Sequence, residues 1–595
     1  MLVFIAWQSS KNLCDLSFAQ NVSSRLQTTF SPLFSHQPKA TVLRCGSGGV
    51  AFLELEVRDW KPTYSEKEKD RWALAPHYPI GIQRFLAHET QPHNQNQGLL
   101  IRLSETLDND AARVVRELSP PFSLIWSDLV TGKISSQIDG LGAAQIFSYR
   151  GKEFSAITSH PFALKALGIS LEPIAQEWAL RFTLGWFPLD TTGFKGVQRL
   201  GPGARVEMEN GAVWQYHYDP TPEWFHPLSI GKEEALEQGY QAISQRVTDA
   251  ASLWRNPKLG LSGGKDSRAV ASALVAQKIS FSATVHGLPA HPDVILAKRL
   301  ADSAGFPLTV DHQGGLPSED VDTCRRSMML ALIWQAGARN PHKHKTFLAN
   351  KPYLGAGSVA VSGNSGAVGR AIYLEKLMKG LPIRDLDKQD LDEQLVRVIT
   401  QEGKALIHPR WLDYVDSSMH QIAAVADRYE IAGNRRLDVF YLLERVRRWE
   451  AAAVSSKTGI VFSPFLAPGF LRASLVFSPN ERIESPLHRY IIRKNLPHWV
   501  SIPFDTEMLN SGLAPVDEAD GVTELNVGLP DWVRITGLKG YDNKGYWKTS
   551  GRPLITAALK QDGFITEVFD SSLAKERWLL APDEIVMLHV LEDLL

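Results

Sequence analysis

The chain has 595 residues and a formal net charge of −1, from 64 Lys+Arg against 65 Asp+Glu, with 44% hydrophobic and 22% charged residues. These values fit a globular protein of roughly two to four domains, each long enough to bury its own core. Balanced charge argues against a dedicated nucleic-acid or membrane-surface binder, since both need a basic excess. Cys14, Cys45 and Cys324 lie far apart and form no CxxC pair, which excludes a disulfide scaffold and argues against zinc-ribbon or iron–sulfur ligation. A reduced, cytoplasmic compartment is expected, and no apolar run reaches the roughly 18 residues that span a bilayer.

The apolar start, Met1-Leu2-Val3-Phe4-Ile5-Ala6-Trp7, is too short for a signal-peptide core and has no basic residues before it, so it predicts a buried strand. Up to about residue 218 the chain carries short β-like runs separated by turns. Phe122–Ser127 alternates, Thr131-Gly132-Lys133 reads as a hairpin turn, and Ile134–Ile138 returns. Ala204–Glu209 is followed by the tight turn Asn210-Gly211 and a further strand from Ala212. A proline-bearing connector from Asp219 through Pro227 precedes an amphipathic helix over Lys232–Trp254, with Leu236, Tyr240, Ile243, Val247 and Ala250 at helical spacing. Strand and helix then alternate: strands at Leu259–Leu261, Phe281–Val285 and Pro307–Val310, helices at Arg268–Gln277 and Val294–Ala304. That alternation predicts a parallel, doubly wound sheet, whose ligands sit at the carboxyl ends of its strands.

One such end carries Ser262-Gly263-Gly264-Lys265-Asp266-Ser267. Two glycines let the backbone approach an anion, successive N–H groups can point at it, and the helix start adds partial positive charge. Ser262 and Ser267 can donate hydroxyl hydrogen bonds to phosphate. Asp266 would repel phosphate unless a divalent cation lay between them, which makes it the candidate Mg²⁺ ligand. The loop is not the GxxxxGK[ST] phosphate loop.

SGGKDS resembles the PP-loop of enzymes that split ATP between the α- and β-phosphates. Phe281–Pro289 with Pro292-Asp293, Ser362-Gly363 after Val359-Ala360-Val361, Pro464-Phe465-Leu466 and Asn495-Leu496-Pro497 occur in the order in which asparagine synthetases carry their segments. Asp139-Gly140-Leu141-Gly142 and Gly201-Pro202-Gly203 resemble the D-x-x-G segment and the late turn of class II glutamine amidotransferase domains. The resemblance implies an Ntn-hydrolase-like αββα sandwich over 1–218. It implies over 228–595 an asparagine synthetase-like ATP-binding ligase domain, α/β, with a PP-loop sheet of adenine nucleotide alpha-hydrolase type and a helical C-terminal part.

The same resemblance implies the site. ATP would lie against Leu261, Ser262, Gly263, Gly264, Asp266, Ser267, His286, Gly287, Ser362 and Gly363. Asp266 would hold Mg²⁺ with Asn364 as a secondary ligand, and Lys265 and Asp266 would be catalytic. Departures accompany it. Position 2 is Leu2, not the nucleophilic cysteine of a working glutaminase, a departure like that of lasso-peptide cyclases and β-lactam synthetases, which keep the amidotransferase domain as scaffold; Cys14 reads as a structural thiol. Ala367 stands among the positions where asparagine synthetases carry acidic residues, and Ser501–Asp505 stands where they carry a lysine. Lys265, Lys494, Arg370 and Arg489 are candidates for the missing charge, with all but Lys265 reading as solvated surface residues.

His342-Lys343-His344-Lys345 has metal-like spacing but repelling lysines. Arg445, Arg447 and Arg448 read by default as a solvated helical face, and the 16 tryptophans read as packing. The expected function is an ATP-dependent carbon–nitrogen ligase that adenylates a small-molecule or peptide carboxylate, releases pyrophosphate and admits an amine or ammonia. A catalytically impaired nucleotide-binding scaffold or regulator is the first alternative and a PP-loop tRNA-modifying enzyme the second. Nucleic-acid and membrane partners are not expected, and the sequence leaves homo-oligomerisation open.

Overall fold

The computed structural model describes residues 3–11, 15–34, 37–54, 57, 60–87, 97–287, 289, 291–311, 321–338, 359–379, 382–450, 460–505, 547–548, 551–560 and 563–595. Met1, Leu2, Cys14 and the His342–Lys345 stretch therefore lie outside the described residues. Among those described, the strands are β1 (Val3–Ser9), β2 (Ala40–Cys45), β3 (Gly48–Leu53), β4 (Ser65–Lys67), β5 (Arg71–His77), β6 (Ser123–Asp128), β7 (Lys133–Ile138), β8 (Phe147–Arg150), β9 (Phe154–Thr158), β10 (Val197–Arg199), β11 (Ala204–Glu209) and β12 (Ala212–His217). They continue with β13 (Lys258–Gly260), β14 (Ser282–His286), β15 (Leu308–Asp311), β16 (Ala360–Val361) and β17 (Val461–Phe462). The sheets are ordered β10-β8-β9-β1-β3-β2, β12-β11-β7-β6-β5-β4 and β15-β14-β13-β16-β17.

The period of two along β1 explains the layering of the N-terminal part. Val3, Ile5 and Trp7 share a core with Ala19, Val22, Leu26 and Phe30 of the helix Leu16–Phe30. Phe4 and Ala6, on the other face, share one with Trp72, Leu74, Ile125 and Val206 of the second sheet. That sheet turns Ala73, Ala75, Leu124 and Trp126 outward onto Phe85, Leu103 and Leu107 of the helices Ile82–Ala87 and Leu99–Glu117. The result is helix, sheet, sheet, helix, the four layers that the family resemblance implies. Asn210 and Gly211 take φ of 49° and 80°, the double positive φ of a two-residue hairpin turn.

The connector from Asp219 to Pro227 differs from expectation by containing a short helix, Thr221–Phe225, with Pro222 in its first turn and Trp224 and Phe225 buried. Proline is pre-set for a helix start, and Phe225 stacks edge-on against Tyr429 at 5.0 Å, so the connector packs instead of spanning.

Buried arginines join the N-terminal sandwich to the rest. Arg246 donates to the carbonyls of Ile80 (2.6 Å) and Pro120 (3.1 Å). Arg447 donates to Leu200 O (3.0 Å), and Asp190 bridges Arg447 and Arg448 at 3.1 and 3.2 Å. The two amidotransferase-like glycine segments form the seat of Arg447. A Cβ at Gly142, whose φ is 68°, would meet Arg447 Nε at 2.9 Å and Pro202 N at 3.0 Å. Asp139 anchors this seat, accepting from the amides of Leu141 (3.0 Å), Ala143 (3.0 Å) and Ala144 (2.8 Å), and burial raises its pKa against those bonds.

The third sheet is parallel throughout. From β13 the chain places β14 and β15 on one side and β16 and β17 on the other. The direction of winding thus reverses at β13, and the carboxyl ends of β13 and β16 border the crevice in which such sheets bind ligands. Among the described residues no helix is long and apolar enough to cross a membrane. Cys45 and Cys324 are buried, and burial pushes the Cys45 thiol up to about 12.

Asp139→Asn replaces one accepting oxygen by a donor facing buried amides. It is expected to lower unfolding free energy by about 1–3 kcal/mol, read from the urea midpoint; an unchanged midpoint would show that the carboxylate does not anchor the seat.

Candidate functional site

The glycine loop leaves β13 and opens the helix Lys265–Ala276 at Gly264, with no side chain capping the helix start. Three of its amides are already engaged, which departs from the expectation that successive N–H groups face an anion; the first, Ser262 N–H, donates to Ser267 Oγ (3.1 Å). Gly263 N–H donates to Asp293 Oδ1 (2.8 Å) and Gly264 N–H to Ser262 Oγ (3.2 Å). Ser262 and Ser267 hydroxyls lie 3.0 Å apart. Asp293, from the Pro292-Asp293 segment, thus fixes the loop's shape, leaving the hydroxyls, the helix start and nearby cations to face the crevice.

Asp266 is shared by two partners from distant segments. Arg370 Nη2 lies 2.9 Å from Oδ2 and His488 Nε2 2.9 Å from Oδ1. Burial works against ionisation of Asp266, but His488 and Arg370 outweigh it and hold the carboxyl below its usual value. Burial lowers the His488 pKa in spite of Asp266. The imidazole lies between the rings of Phe465 (5.3 Å) and Phe470 (5.9 Å), so the Pro464-Phe465-Leu466 segment builds one wall of its apolar cage.

In front of the loop opens a cavity of about 410 Å³. Ser262, Asp266, Ser267, Ser362, Gly363 and Asn364 line it, together with Ala367, Arg370, Tyr373, Lys376, Tyr441, Arg445 and Glu450. The last three come from one ten-residue π-helix, Tyr441–Glu450. Nine residues at 3.6 per turn make two and a half turns and would place Glu450 opposite Tyr441. The i→i+5 bonding of a π-helix, at about 4.4 residues per turn, puts Tyr441, Arg445 and Glu450 on one face. Tyr441 donates to Glu450 Oε1 (3.1 Å) and Ser365 to Oε2 (2.9 Å). Burial is the main cause that raises the Glu450 pKa, with Asp266 adding to it, against Ser365, Arg445 and Tyr441.

Behind the loop, Ser501–Asp505 closes the floor. Asp505 N–H donates to Gly263 O (3.1 Å), and Arg268 donates to Ile502 O (2.6 Å) and Pro503 O (2.7 Å). Phe504 gathers cations on its ring: Arg268 at 4.3 Å, Arg489 at 5.0 Å and Lys265 at 5.8 Å.

Several sequence expectations change here. Arg370 is not a solvated surface residue; its side chain is 23% exposed and bound to Asp266. Arg447 and Arg448 are buried, at 2% each, because Asp190 and Glu444 compensate them across the junction, while Arg445 lines the cavity. Lys494 pairs with Glu237 and covers Tyr240 at 4.4 Å, away from the loop. His286 is exposed beside Asp311 (3.2 Å), and neither it nor Gly287 lines the cavity. Leu261, Gly263, Gly264 and Lys265 flank the cavity without lining it. His488, Ser365, Tyr373, Lys376, Tyr441 and Glu450 were not singled out from the sequence. Only an acidic residue closing a helix of arginines pointed to Glu450.

The donor set does not fit a resident magnesium ion. Both Asp266 oxygens face nitrogen partners, Asn364 is an exposed side chain that offers a single neutral amide oxygen, and Ala367 offers no ligand atom. Among the described residues no group of three or more His, Cys, Asp or Glu side chains is placed to hold a metal.

No protein-family model and no curated protein sequence matches the chain. Among solved structures it is similar to the allosteric regulatory enzyme of purine biosynthesis, at 9% identity over 54% of this chain and 82% of that one, with a TM-score of 0.26. It is likewise similar to glutamine phosphoribosylpyrophosphate (PRPP) amidotransferase from B. subtilis complexed with ADP and GMP, at 8% identity over 52% and 90%, with a TM-score of 0.25. Likeness at this level carries no argument, and the reading of the site rests on its own geometry.

Because the folded Glu450 pKa is raised, its contribution to stability is full below the ordinary 4.5 and is lost as pH rises through the raised value. Glu450→Gln has no such loss. The melting temperature of the variant should therefore gain on wild type as pH climbs from 4.5 into the neutral range, and a constant difference would show that Glu450 titrates normally.

Proposed function

We propose that the chain is an ATP-dependent amide-bond-forming ligase of asparagine synthetase type, which adenylates a carboxylate with release of pyrophosphate and then admits an amine or ammonia. One observation carries the reading: a serine- and glycine-containing loop joins the central strand of a parallel sheet to an uncapped helix start that faces a cation-lined cavity at the winding reversal. Ser262, Ser267 and the start of the helix would hold the departing pyrophosphate, with Gly263 and Gly264 shaping the loop. Lys265 and Arg370 would stabilise the charge that develops there. Ser362 and Gly363 would border the nucleoside within the cavity, and contact with Leu261, His286 and Gly287 would require it to extend past the cavity wall.

Adenylation suits this chemistry because AMP leaves readily and a bare carboxylate oxygen does not. Attack by the amine then requires loss of a proton. Glu450, with a raised pKa and a hydrogen bond from Tyr441, is poised to accept it. In this reading the amine binds directly and the N-terminal sandwich acts as scaffold through its buried arginine junction.

A second reading has its own observation. Asp266 is already neutralised by Arg370, which suits a nucleotide-binding scaffold or regulator that does not turn over. The tRNA-modifying alternative is disfavoured by the neutral charge balance.

Purified protein given ATP, a panel of carboxylates and amines is expected to release pyrophosphate. Asp266→Ala should abolish release, and Glu450→Gln should slow the later formation of amide and AMP by about 10²–10⁴-fold. Release of ADP and orthophosphate would exclude the ligase chemistry, whereas nucleotide binding without pyrophosphate release would favour the scaffold.

A further inference from the structure

Asp266 meets a guanidinium where the resemblance to asparagine synthetases implies a divalent cation, and the backbone enforces that meeting. A Cβ at Gly363 would come within 2.7 Å of Ser267 N, and one at Gly366 within 2.8 Å of Asp266 Oδ1. The stretch from Ser362 to Arg370 therefore lies directly on the helix start, and the turn Gly366–Arg370 delivers its last side chain to Asp266.

We propose that this cavity binds an oligophosphate anion, the phosphate tail of a nucleotide or free pyrophosphate, without a divalent cation, using Arg370 in its place. The inference rests on the reading of the cavity as a nucleotide site. Charge favours it. Arg370, Lys376 and Arg445 line the cavity against two carboxylates, Asp266 and Glu450, and Lys265 stands beside them. Both carboxylates are already hydrogen-bonded or ion-paired within the chain, so the net field facing a ligand is positive.

Arginine chemistry favours it too. A guanidinium has five N–H donors in a planar fork and can hold a carboxylate and a phosphate together. Arg370 spends one terminal nitrogen on Asp266, and its buried Nε has no hydrogen-bond partner among the described residues. Magnesium would instead demand near-octahedral oxygen ligands, which this donor set does not provide without breaking the Asp266–Arg370 pair.

Calorimetric titration of the full chain with ATP and, separately, with inorganic pyrophosphate, each in EDTA and in excess Mg²⁺, tests the proposal. Affinity in EDTA is expected to stay within about threefold of that in Mg²⁺, and Arg370→Gln to weaken binding in EDTA by about tenfold or more, with Arg370→Lys between. The wild-type comparison needs no variant to fold. ATP binding only in Mg²⁺ overturns the inference and leaves the nucleotide site standing. Metal-free binding of pyrophosphate but not ATP supports the anion site and removes the nucleotide reading. Absence of binding by either anion in both buffers overturns both.

Discussion

The carboxylate of Asp266 ties together three parts of the chain that are far apart in sequence. It stands in the first turn of the loop helix, faces Arg370 from the turn after β16, and meets His488 from the helix Pro486–Asn495. Burial of an unpaired carboxylate would be costly, so each partner must be present for the others to stay where they are. The glycines at 363 and 366 leave room for this approach, and Phe465 and Phe470 enclose the imidazole. The cavity is the space left in front of that cluster.

The π-helix Tyr441–Glu450 links this cluster to the N-terminal sandwich. One face presents Tyr441, Arg445 and Glu450 to the cavity. The other carries Glu444, Arg447 and Arg448 into a buried junction with Arg199 and Leu200, capped from the solvent side by the exposed Asp190. Burial, followed by Arg448 and Arg447, lowers the Arg199 pKa to about 9, with Asp190 and Glu444 opposing. Three buried guanidiniums set against two carboxylates make the junction sensitive to any movement of the helix.

The N-terminal strands were legible because a strand has a period of two, while their stacking into four layers came only with the family resemblance. Val3, Ile5 and Trp7 alternate with Phe4 and Ala6, and both sets are apolar, which already requires two covered faces. The loop was legible because strand, glycines and helix are contiguous. Arg370, Arg447 and Arg448 were misread because an arginine in sequence carries no mark of its compensating partner. Asp190 is more than 250 residues from both Arg447 and Arg448, and Asp266 more than 100 from Arg370.

By itself, then, the sequence determined what local periodicity and contiguity can encode: the strands, the hairpin turns, the parallel alternation from β13 onward and the position of the glycine loop. Only the tertiary structure decided which charges meet, which amides remain for a ligand and which face of Tyr441–Glu450 sees the cavity. The physical reason is range. Backbone patterns act over a few residues, whereas the pairing of a buried charge depends on which distant segment is pressed against it, and the change from α to π winding turned Glu450 through half a circle relative to Tyr441.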